Sequence, residues 1–335
     1  MEEKLYIGLL NKLYYIDDLS LIKKAFEIAY NLHNGQFRDS GEAYIVHPLS
    51  VAHILSHLHA DKKTICASLL HDTLEDTSYS LDSLKNDFGL EIANMVNGLT
   101  NLPKNCFISK EDQKIYNSNK FIEYSLGDVR TIIIKLADRL HNMSTLEVKS
   151  ESSKIDNACE TLYFYVPIAN NLKITYLKNR LEDLSFKYLY SDIYIKLLEE
   201  RKKILTSSFF NNYIGVMKKM LIDKKIKGSI KVDVENIYGM YQDIKNNKEI
   251  DFINIYTVVN DKYINYIDYD IKNLMNILSY SDFLNKEYGI CASWFNEDLM
   301  QKEFEQNILY DKLLKINDSY NKNFNIVPNK IKVLK

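Results

Sequence analysis

Two histidines and two aspartates in the first half of the chain belong to residue types that hold a divalent metal ion. His47 stands just before a predicted helix, and the pair His71–Asp72 ends an apolar run. Asp138 lies inside the most apolar helix of the sequence, IIIKLADRL, so its charge needs a cation or several hydrogen-bond donors. Imidazole and carboxylate ligands together suit Mn²⁺, Zn²⁺ or Fe²⁺ and leave positions for water. Ligands on separate helices are typical of a metal site inside a helical bundle.

Two further carboxylates follow the His71–Asp72 pair. Glu75 and Asp76 come four residues later, so a continuing helix would place them on the same face, one turn further on. Carboxylates in this position can take a proton from water or orient it. The alternative is a solvated acidic turn, which would be the favoured interpretation if no metal were bound.

Several side chains around these residues could bind phosphate or sugar. Arg38, in a loop with Gly and Ser, offers a guanidinium fork for phosphate. Asn142 and Thr145 follow Asp138 by one and two helical turns, on roughly the same face, and can hydrogen-bond a nucleotide.

The remaining basic and imidazole side chains give weaker signals. The helix with Asp138 also carries Lys135, Arg139 and His141, which could form a positively charged rim. Lys135 and Arg139 are four residues apart and could equally form a solvated face. Nothing near the other histidines requires a ligand, so they are interpreted as ordinary hydrogen-bonded side chains: His33, His53, His57 and His59.

Composition and charge exclude several classes of protein. The 335 residues predict about two domains, and 46% hydrophobic with 26% charged residues is ordinary for a soluble protein. A net charge of −2 argues against a nucleic-acid partner, and no apolar run approaches the roughly 18 residues of a membrane span. We therefore expect a cytoplasmic protein without a signal peptide. The cysteines lack the spacing of a disulfide framework or zinc ribbon: Cys66, Cys106, Cys159 and Cys291.

The elements that position these residues are predicted to be helices. Only 10 Gly and 4 Pro occur, which favours long helices over a many-turned β protein. Hydrophobic periodicity predicts a loop over 101–111, further helices from 150 to 221, and short β-like runs from about 229. The predicted helices of the first half are 17–32, one that starts at Pro48, 61–72, 80–89, 90–99, 116–126 and 129–146.

Four segments, in this order, resemble the hydrolase domain of the RelA/SpoT homologue family, whose enzymes make and destroy guanosine 3′,5′-bis(diphosphate), ppGpp. They are GQFRDSGEAYIVHPLSVAHIL, ASLLHDTLEDT, FGLEIANMVNGLT and DVRTIIIKLADRLHNMSTLE. A weaker resemblance to the family's helical connector continues through CETLYFYVPIANNL and LEDLSFKYL. The resemblance implies a mainly α protein in three parts. These are an HD-domain helical bundle over 1–150, a helical connector over 151–228 and a small degenerate α+β segment over 229–335.

The resemblance also implies roles for individual residues and a reaction. One Mn²⁺ would be bound by His47, His71, Asp72 and Asp138. Glu75 and Asp76 would help to activate water, while the nucleotide would be contacted by Arg38, Asn142 and Thr145. The implied reaction removes the 3′-diphosphate of (p)ppGpp, a guanine nucleotide alarmone, and yields GDP or GTP and pyrophosphate. The oligomeric state stays open.

Two departures from the family's pattern fall inside this domain. Asp39 stands where the family usually has a basic residue near the guanine base, and Ser144 stands where it usually has an arginine. Both changes remove positive charge near an anionic substrate, so they can weaken affinity or alter base preference. Neither changes a metal ligand, so we expect the chemistry to survive.

The second half departs further from the family. The synthetase motif GRxKHxYSI corresponds to VDVENIYGMY, with Asp233 and Glu235 at the positions of the two phosphate-binding cations. Asp251 is a candidate for the family's Mg²⁺-binding aspartate, but Tyr256 replaces the arginine that follows it. Two anions in place of two cations reverse the local field, so we expect no synthetase activity.

Two alternative functions remain open from the sequence. The chain could be a nucleotide-binding regulator without turnover, for which the degenerate second half offers partial support. It could also hydrolyse a related nucleotide, an adenine alarmone or NADPH, since Asp39 alters the expected base site.

Overall fold

The computed structural model describes residues 2–102, 106, 109–248, 253–295 and 306–323. Its fold is mainly α with one small sheet, as the sequence predicts. Within the described residues, no helix has both the length and the apolar character needed to cross a membrane. The helices of the first half are α1 (Glu2–Lys12), α2 (Ser20–Leu32), α3 (Val46–His57), α4 (Lys62–Leu70), α5 (Thr73–Asp76), α6 (Leu81–Leu99), α7 (Lys110–Gly127) and α8 (Arg130–Ser144).

Local capping explains several of these boundaries. Asp61 accepts hydrogen bonds from the backbone N–H groups of Lys63 and Thr64 and so begins α4, and Ser80 caps α6 in the same way. Gly89, with a φ of +83°, kinks α6 where the sequence predicts two helices. The predicted start of α3 at Pro48 is wrong by two residues, because backbone bonds to the carbonyls of residues 43 and 44 close the first turn before the proline.

The second half continues with helices and then a sheet. A 3₁₀ turn at Leu146–Val148 leads to α9 (Glu151–Glu160), a π turn at Thr161–Tyr165, and then α10 (Val166–Asn171), α11 (Thr175–Leu189), α12 (Ser191–Leu205) and α13 (Ser208–Asp223). Three strands follow, with β1 antiparallel to β2 and β2 parallel to β3. The remaining elements are β1 (Gly228–Val234), α14 (Ile237–Lys245), β2 (Ile253–Val259), α15 (Asp261–Ile264), α16 (Tyr269–Leu274), β3 (Ile277–Ser279), α17 (Tyr280–Tyr288), a 3₁₀ turn at Gly289–Trp294 and α18 (Gln306–Asn323).

Helix α8 lies at the centre of the first half. It packs against α3, α4, α6 and α7, and on another side against α11. Its Ile132, Ile134 and Leu136 are fully buried. One continuous hydrophobic core joins these helices to α10, α11 and α18, so part of the predicted connector shares the core of the first half. The division at residues 150 and 228 stays a prediction.

Candidate metal centre

The four residues predicted as metal ligands converge at one point. His47, in the first turn of α3, has its Nε2 atom 3.2 Å from Nε2 of His71 and 3.2 Å from Oδ1 of Asp138. The carboxylate of Asp72 lies beside them, with Oδ1 3.3 Å from His71 Nε2 and Oδ2 3.5 Å from His47 Nε2. Ligand atoms that each lie roughly 2.0–2.2 Å from one ion are roughly 3–4 Å from one another. These distances and donor types fit a single divalent metal ion.

Burial and neighbouring charge favour the protonation states in which the candidate ligands bind a cation. His47, His71 and Asp138 are buried. Burial lowers the pKa of His47, which favours the neutral imidazole that a metal requires. Burial opposes ionisation of Asp138, but the Lys135 ammonium, 3.1 Å from its Oδ2 atom, holds the pKa of that carboxyl well below its usual range.

The Nδ1 atoms of His47 and His71 each have a hydrogen-bond partner, and these contacts orient the Nε2 atoms toward the candidate metal centre. Nδ1 of His71 donates to the backbone carbonyl of Ser68 at 2.8 Å. Nδ1 of His47 lies 2.7 Å from Nδ1 of His141, whose pKa burial lowers to about 3. A neutral His141 accepts this hydrogen bond, and the lone pair of His47 Nε2 then faces the centre. The structure thus corrects the prediction that His141 belongs to a rim, because it is buried behind His47.

Lys135 and Arg139 are pocket residues, and the alternative of a solvated face is wrong. Both line a cavity of about 490 Å³, here called the metal pocket, whose floor includes His47, Asp72 and Asp138. Arg139 donates to Glu160 at 2.6 Å and stacks over the ring of Tyr165. Ion pairs therefore hold both cations beside the pocket.

Glu75 and Asp76 line the metal pocket, but they lie on a different helix from the predicted one. Helix α4 ends at Leu70, and the two carboxylates lie on the separate short helix α5. Glu75 accepts from the backbone N–H of Asn101 at 2.8 Å, and burial raises the pKa of its carboxyl. Both side chains line the pocket beside the candidate ligands.

Tyr44 is a site residue that the sequence analysis missed. Its hydroxyl lies 2.6 Å from Oδ2 of Asp76 and 2.9 Å from Oδ2 of Asp72. Its ring stacks on His33 with centroids 4.6 Å apart. The only signal in the sequence is its position three residues before His47, which does not reveal the contact with either aspartate.

The predicted nucleotide-binding residues all line the metal pocket. Arg38 donates to Oδ1 of Asn142 at 2.7 Å, and Asn142 donates to Oδ1 of Asp138 at 2.6 Å. This chain of hydrogen bonds connects the loop before α3 to the candidate metal centre. Thr145 lines the same pocket, and its hydroxyl donates to the carbonyl of His141 at 3.2 Å.

Comparison with known proteins identifies the domain that holds this pocket. Residues 25–175 match the family described as "HD domain". The chain therefore contains an HD domain. Its relatives include a GTP pyrophosphokinase of Myxococcus xanthus, 39% identical over 248 residues, which are 72% of this chain and 32% of the relative. A guanosine-3′,5′-bis(diphosphate) 3′-pyrophosphohydrolase of Haemophilus influenzae is 41% identical over 209 residues, 62% of this chain and 29% of the relative.

A third relative is the bifunctional (p)ppGpp synthase/hydrolase SpoT of Escherichia coli. It is 34% identical over 231 residues, which are 67% of this chain and 32% of the relative. The chain thus has homologues among the RelA/SpoT enzymes, and it spans about a third of the length of the curated relatives that it matches.

The two departures from the family's pattern lie in different places. Asp39 lines the metal pocket of the HD domain and forms an ion pair with Lys149 on the facing segment. Among the described residues, Ser144 does not line that pocket. It lines a separate cavity of about 890 Å³ between the HD domain and the sheet, and its hydroxyl donates to the carbonyl of His141. The expectation that Ser144 stands near the substrate is therefore not supported.

Asp233 and Glu235, which the family resemblance aligns with two cations, make different contacts at the end of β1. Asp233 forms an ion pair with Lys286 at 2.8 Å. The backbone carbonyl of Glu235 accepts from Arg201 at 3.3 Å, which ties the end of β1 to α12. Asp251, the candidate Mg²⁺ ligand, lies outside the described residues.

Proposed function

We propose that the chain is a metal-dependent pyrophosphohydrolase that removes the 3′-diphosphate of (p)ppGpp. The observation that carries this proposal is the convergence of two imidazoles and two carboxylates beside the separate carboxylates of Glu75 and Asp76. A protein that only binds a nucleotide does not require such a set. Several homologues are named for the same reaction.

The metal site that we propose consists of His47, His71, Asp72 and Asp138, and Mn²⁺ is the metal that the family resemblance implies. A bound divalent ion lowers the pKa of a coordinated water and neutralises charge on the reacting phosphate. Nitrogen and oxygen ligands in this number suit such an ion and leave open positions.

The reaction consumes one water. The water oxygen forms a bond to the phosphorus attached to the 3′-oxygen, and the bond between that phosphorus and the 3′-oxygen breaks. One proton of the water passes to a pocket carboxylate, and a pocket carboxyl returns a proton to the 3′-oxygen. The products are GDP or GTP with a free 3′-hydroxyl and pyrophosphate, which carries the oxygen of the water. We assign the proton transfer to Glu75 and Asp76, since both line the pocket and Tyr44 orients Asp76.

Three cations attract and hold the anionic substrate. Arg38, Lys135 and Arg139 line the pocket that contains the candidate metal centre. We assign the contacts with the nucleotide to Arg38, Asn142 and Thr145. Charge-assisted hydrogen bonds from a guanidinium suit phosphate oxygens, so Arg38 is the strongest candidate for a phosphate contact.

We also propose that the chain has no synthetase activity. Asp233 and Glu235 occupy positions at which the family resemblance predicts cations, and the ion pair between Asp233 and Lys286 uses a nearby positive charge. A negative local field opposes the binding of ATP phosphates.

The test is pyrophosphate release from ppGpp by the purified chain, with added Mn²⁺ and with chelator. A parallel assay with ATP and GDP measures synthesis. We expect release that chelator abolishes and Mn²⁺ restores, without synthesis. Binding of ppGpp without cleavage in the presence of Mn²⁺ would contradict the hydrolase and favour a nucleotide-binding regulator.

A further inference from the structure

Two side chains that follow α2, those of His33 and Gln36, contact residues of the metal pocket from outside it. His33 is 3% exposed, and its ring stacks on the ring of Tyr44 with the planes 19° from parallel. The side-chain amide of Gln36 donates to the backbone carbonyl of Asp76 at 2.9 Å. Neither His33 nor Gln36 is among the described residues that line the pocket, whereas Tyr44 and Asp76 both line it.

A hydrogen bond joins the two side chains to each other. Nδ1 of His33 lies 2.8 Å from Oε1 of Gln36. Because Nε2 of Gln36 donates to Asp76, its Oε1 atom is the acceptor toward His33, and the imidazole carries its proton on Nδ1. The orientation of the glutamine amide and the tautomer of the histidine therefore fix each other.

Four contacts close a ring of residues beside the pocket. The imidazole of His33 supports the ring of Tyr44, whose hydroxyl lies 2.6 Å from Oδ2 of Asp76. The backbone of that aspartate is bound by Gln36, and Gln36 is bound by His33. The N–H of Tyr44 also donates to the carbonyl of Gln36 at 3.0 Å, which joins the two sides of the loop before α3. One imidazole thus supports both the backbone and the carboxylate of Asp76.

The second nitrogen of His33 indicates what the imidazole contributes. Its Nε2 atom is buried and has no hydrogen-bond partner among the described residues. A buried polar atom without a partner costs free energy that an apolar ring would avoid. Stacking on Tyr44 requires only a flat ring, so the bond from Nδ1 to Gln36 is the contact that a histidine adds here.

We propose that His33 and Gln36 are positioning residues that hold α5 where Asp76 accepts a proton. Helix α5 has only 4 residues, Thr73–Asp76. A helix of that length has little stability of its own, so contacts with its neighbours determine its position. The inference rests on the proposed function for the role of Asp76, and both residues act through the groups that they contact.

The experiment removes the hydrogen bonds and keeps the packing. His33→Phe retains a flat ring against Tyr44 but lacks the bond to Gln36. Gln36→Met retains the length of the side chain but lacks the bonds to His33 and Asp76. We expect kcat for ppGpp with Mn²⁺ to fall by about tenfold in each variant, because a misplaced proton acceptor slows the reaction. The KM should stay within about twofold, since the pocket lining is unchanged.

A double variant distinguishes one shared connection from two independent effects. Both substitutions break the connection that runs from His33 through Gln36 to Asp76. The double variant should therefore have a kcat within about twofold of that of Gln36→Met alone. Independent effects would multiply to about a hundredfold loss, and that result would overturn the inference.

A matched control is available on α3. Nε2 of His53 bonds the backbone carbonyl of Leu5 at 2.8 Å, and His53 is not among the described residues that line the metal pocket. His53→Phe should keep the kcat of the unmodified chain. In urea denaturation His33→Phe should be about as stable as the unmodified chain, because it also removes the buried, unpaired Nε2 atom. A loss of kcat that only accompanies a loss of stability would show that His33 acts through folding, against the inference.

Hydrogen–deuterium exchange gives a readout that does not require turnover. In the chelator-treated chain the amides of α5 should exchange faster in His33→Phe and Gln36→Met than in His53→Phe or the unmodified chain. If ppGpp is cleaved, an unchanged kcat in Gln36→Met contradicts the inference and leaves the hydrolase proposal intact. If ppGpp is not cleaved, the hydrolase proposal fails and exchange alone decides: faster exchange supports the positioning of α5, and unchanged exchange refutes it.

Discussion

The hydroxyl of Tyr44 lies 2.6 Å from Oδ2 of Asp76, and the same oxygen reaches the carboxylate of Asp72 at 2.9 Å. One side chain thus connects a candidate metal ligand with a candidate proton acceptor. Its ring is fixed by stacking on His33, so the hydroxyl has little freedom to leave the two carboxylates.

Replacement of this tyrosine tests the connection. Tyr44→Phe keeps the ring and its stacking but removes the hydroxyl, so we expect kcat for ppGpp to fall by about 10- to 100-fold, the range typical of residues that position metal ligands. The KM should change less, because the hydroxyl contacts carboxylates of the pocket.

A second tyrosine provides the control. The hydroxyl of Tyr79 donates to Asp87 at 2.6 Å, away from the metal pocket. Tyr79→Phe removes a similar hydrogen bond and should leave kcat near that of the unmodified chain. Equal losses in both variants would mean that the effect of Tyr44→Phe is one of general stability.

Removal of a candidate ligand should remove metal binding and turnover together. Asp72→Ala takes away a carboxylate that lies 3.3 Å from Nε2 of His71 and 3.5 Å from Nε2 of His47. We expect pyrophosphate release to be abolished and Mn²⁺ binding to be lost in calorimetry. Full activity in this variant would contradict the assignment of Asp72 to the metal site.

Binding of the ion should also stabilise the fold. Mn²⁺ at about 100 times its Kd adds about 2.7 kcal/mol to the free energy of unfolding, if the unfolded chain binds none. The Tm of the unmodified chain should therefore rise with added Mn²⁺, as measured by scanning calorimetry. The Tm of Asp72→Ala should not respond to the same concentrations.

The contact between His47 and His141 predicts a weaker metal affinity when it is lost. His141→Leu fills the space behind His47 with an apolar side chain and removes the acceptor 2.7 Å from the Nδ1 atom of His47. We expect the Kd for Mn²⁺ to rise by about 10- to 100-fold, because the imidazole loses the partner that fixes its orientation and tautomer. Unchanged affinity would show that packing alone orients His47.

Two glycines give a paired test of packing. A Cβ atom on Gly98 would lie 2.5 Å from Cβ of Tyr124, whereas one on Gly215, inside α13, meets no described atom within 4 Å. Gly98→Ala should lower the free energy of unfolding by about 1–3 kcal/mol because α6 and α7 must separate. Gly215→Ala should raise it by up to about 1 kcal/mol through helix propensity. Urea denaturation measures both.

The sequence by itself predicts those features that arise from neighbours along the chain. The caps at Asp61 and Ser80 are local hydrogen bonds, and they begin the helices as predicted. The spacing of Asp138 and Asn142 predicts one shared helix face, and a hydrogen bond of 2.6 Å between them confirms it. The residue types of the candidate metal site are also apparent in the sequence, because a carboxylate in an apolar helix needs a cation or several hydrogen-bond donors.

The tertiary structure alone decides which residues meet across long separations. His47 and His141 are 94 positions apart, and Asp39 and Lys149 are 110 apart, so no periodicity relates them. Ser144, only two residues from Asn142, lines a different cavity because a helix turns about 100° per residue and α8 is packed on more than one side. Helical period determines which side chains share a face, but the packing of other helices against that face determines what they contact.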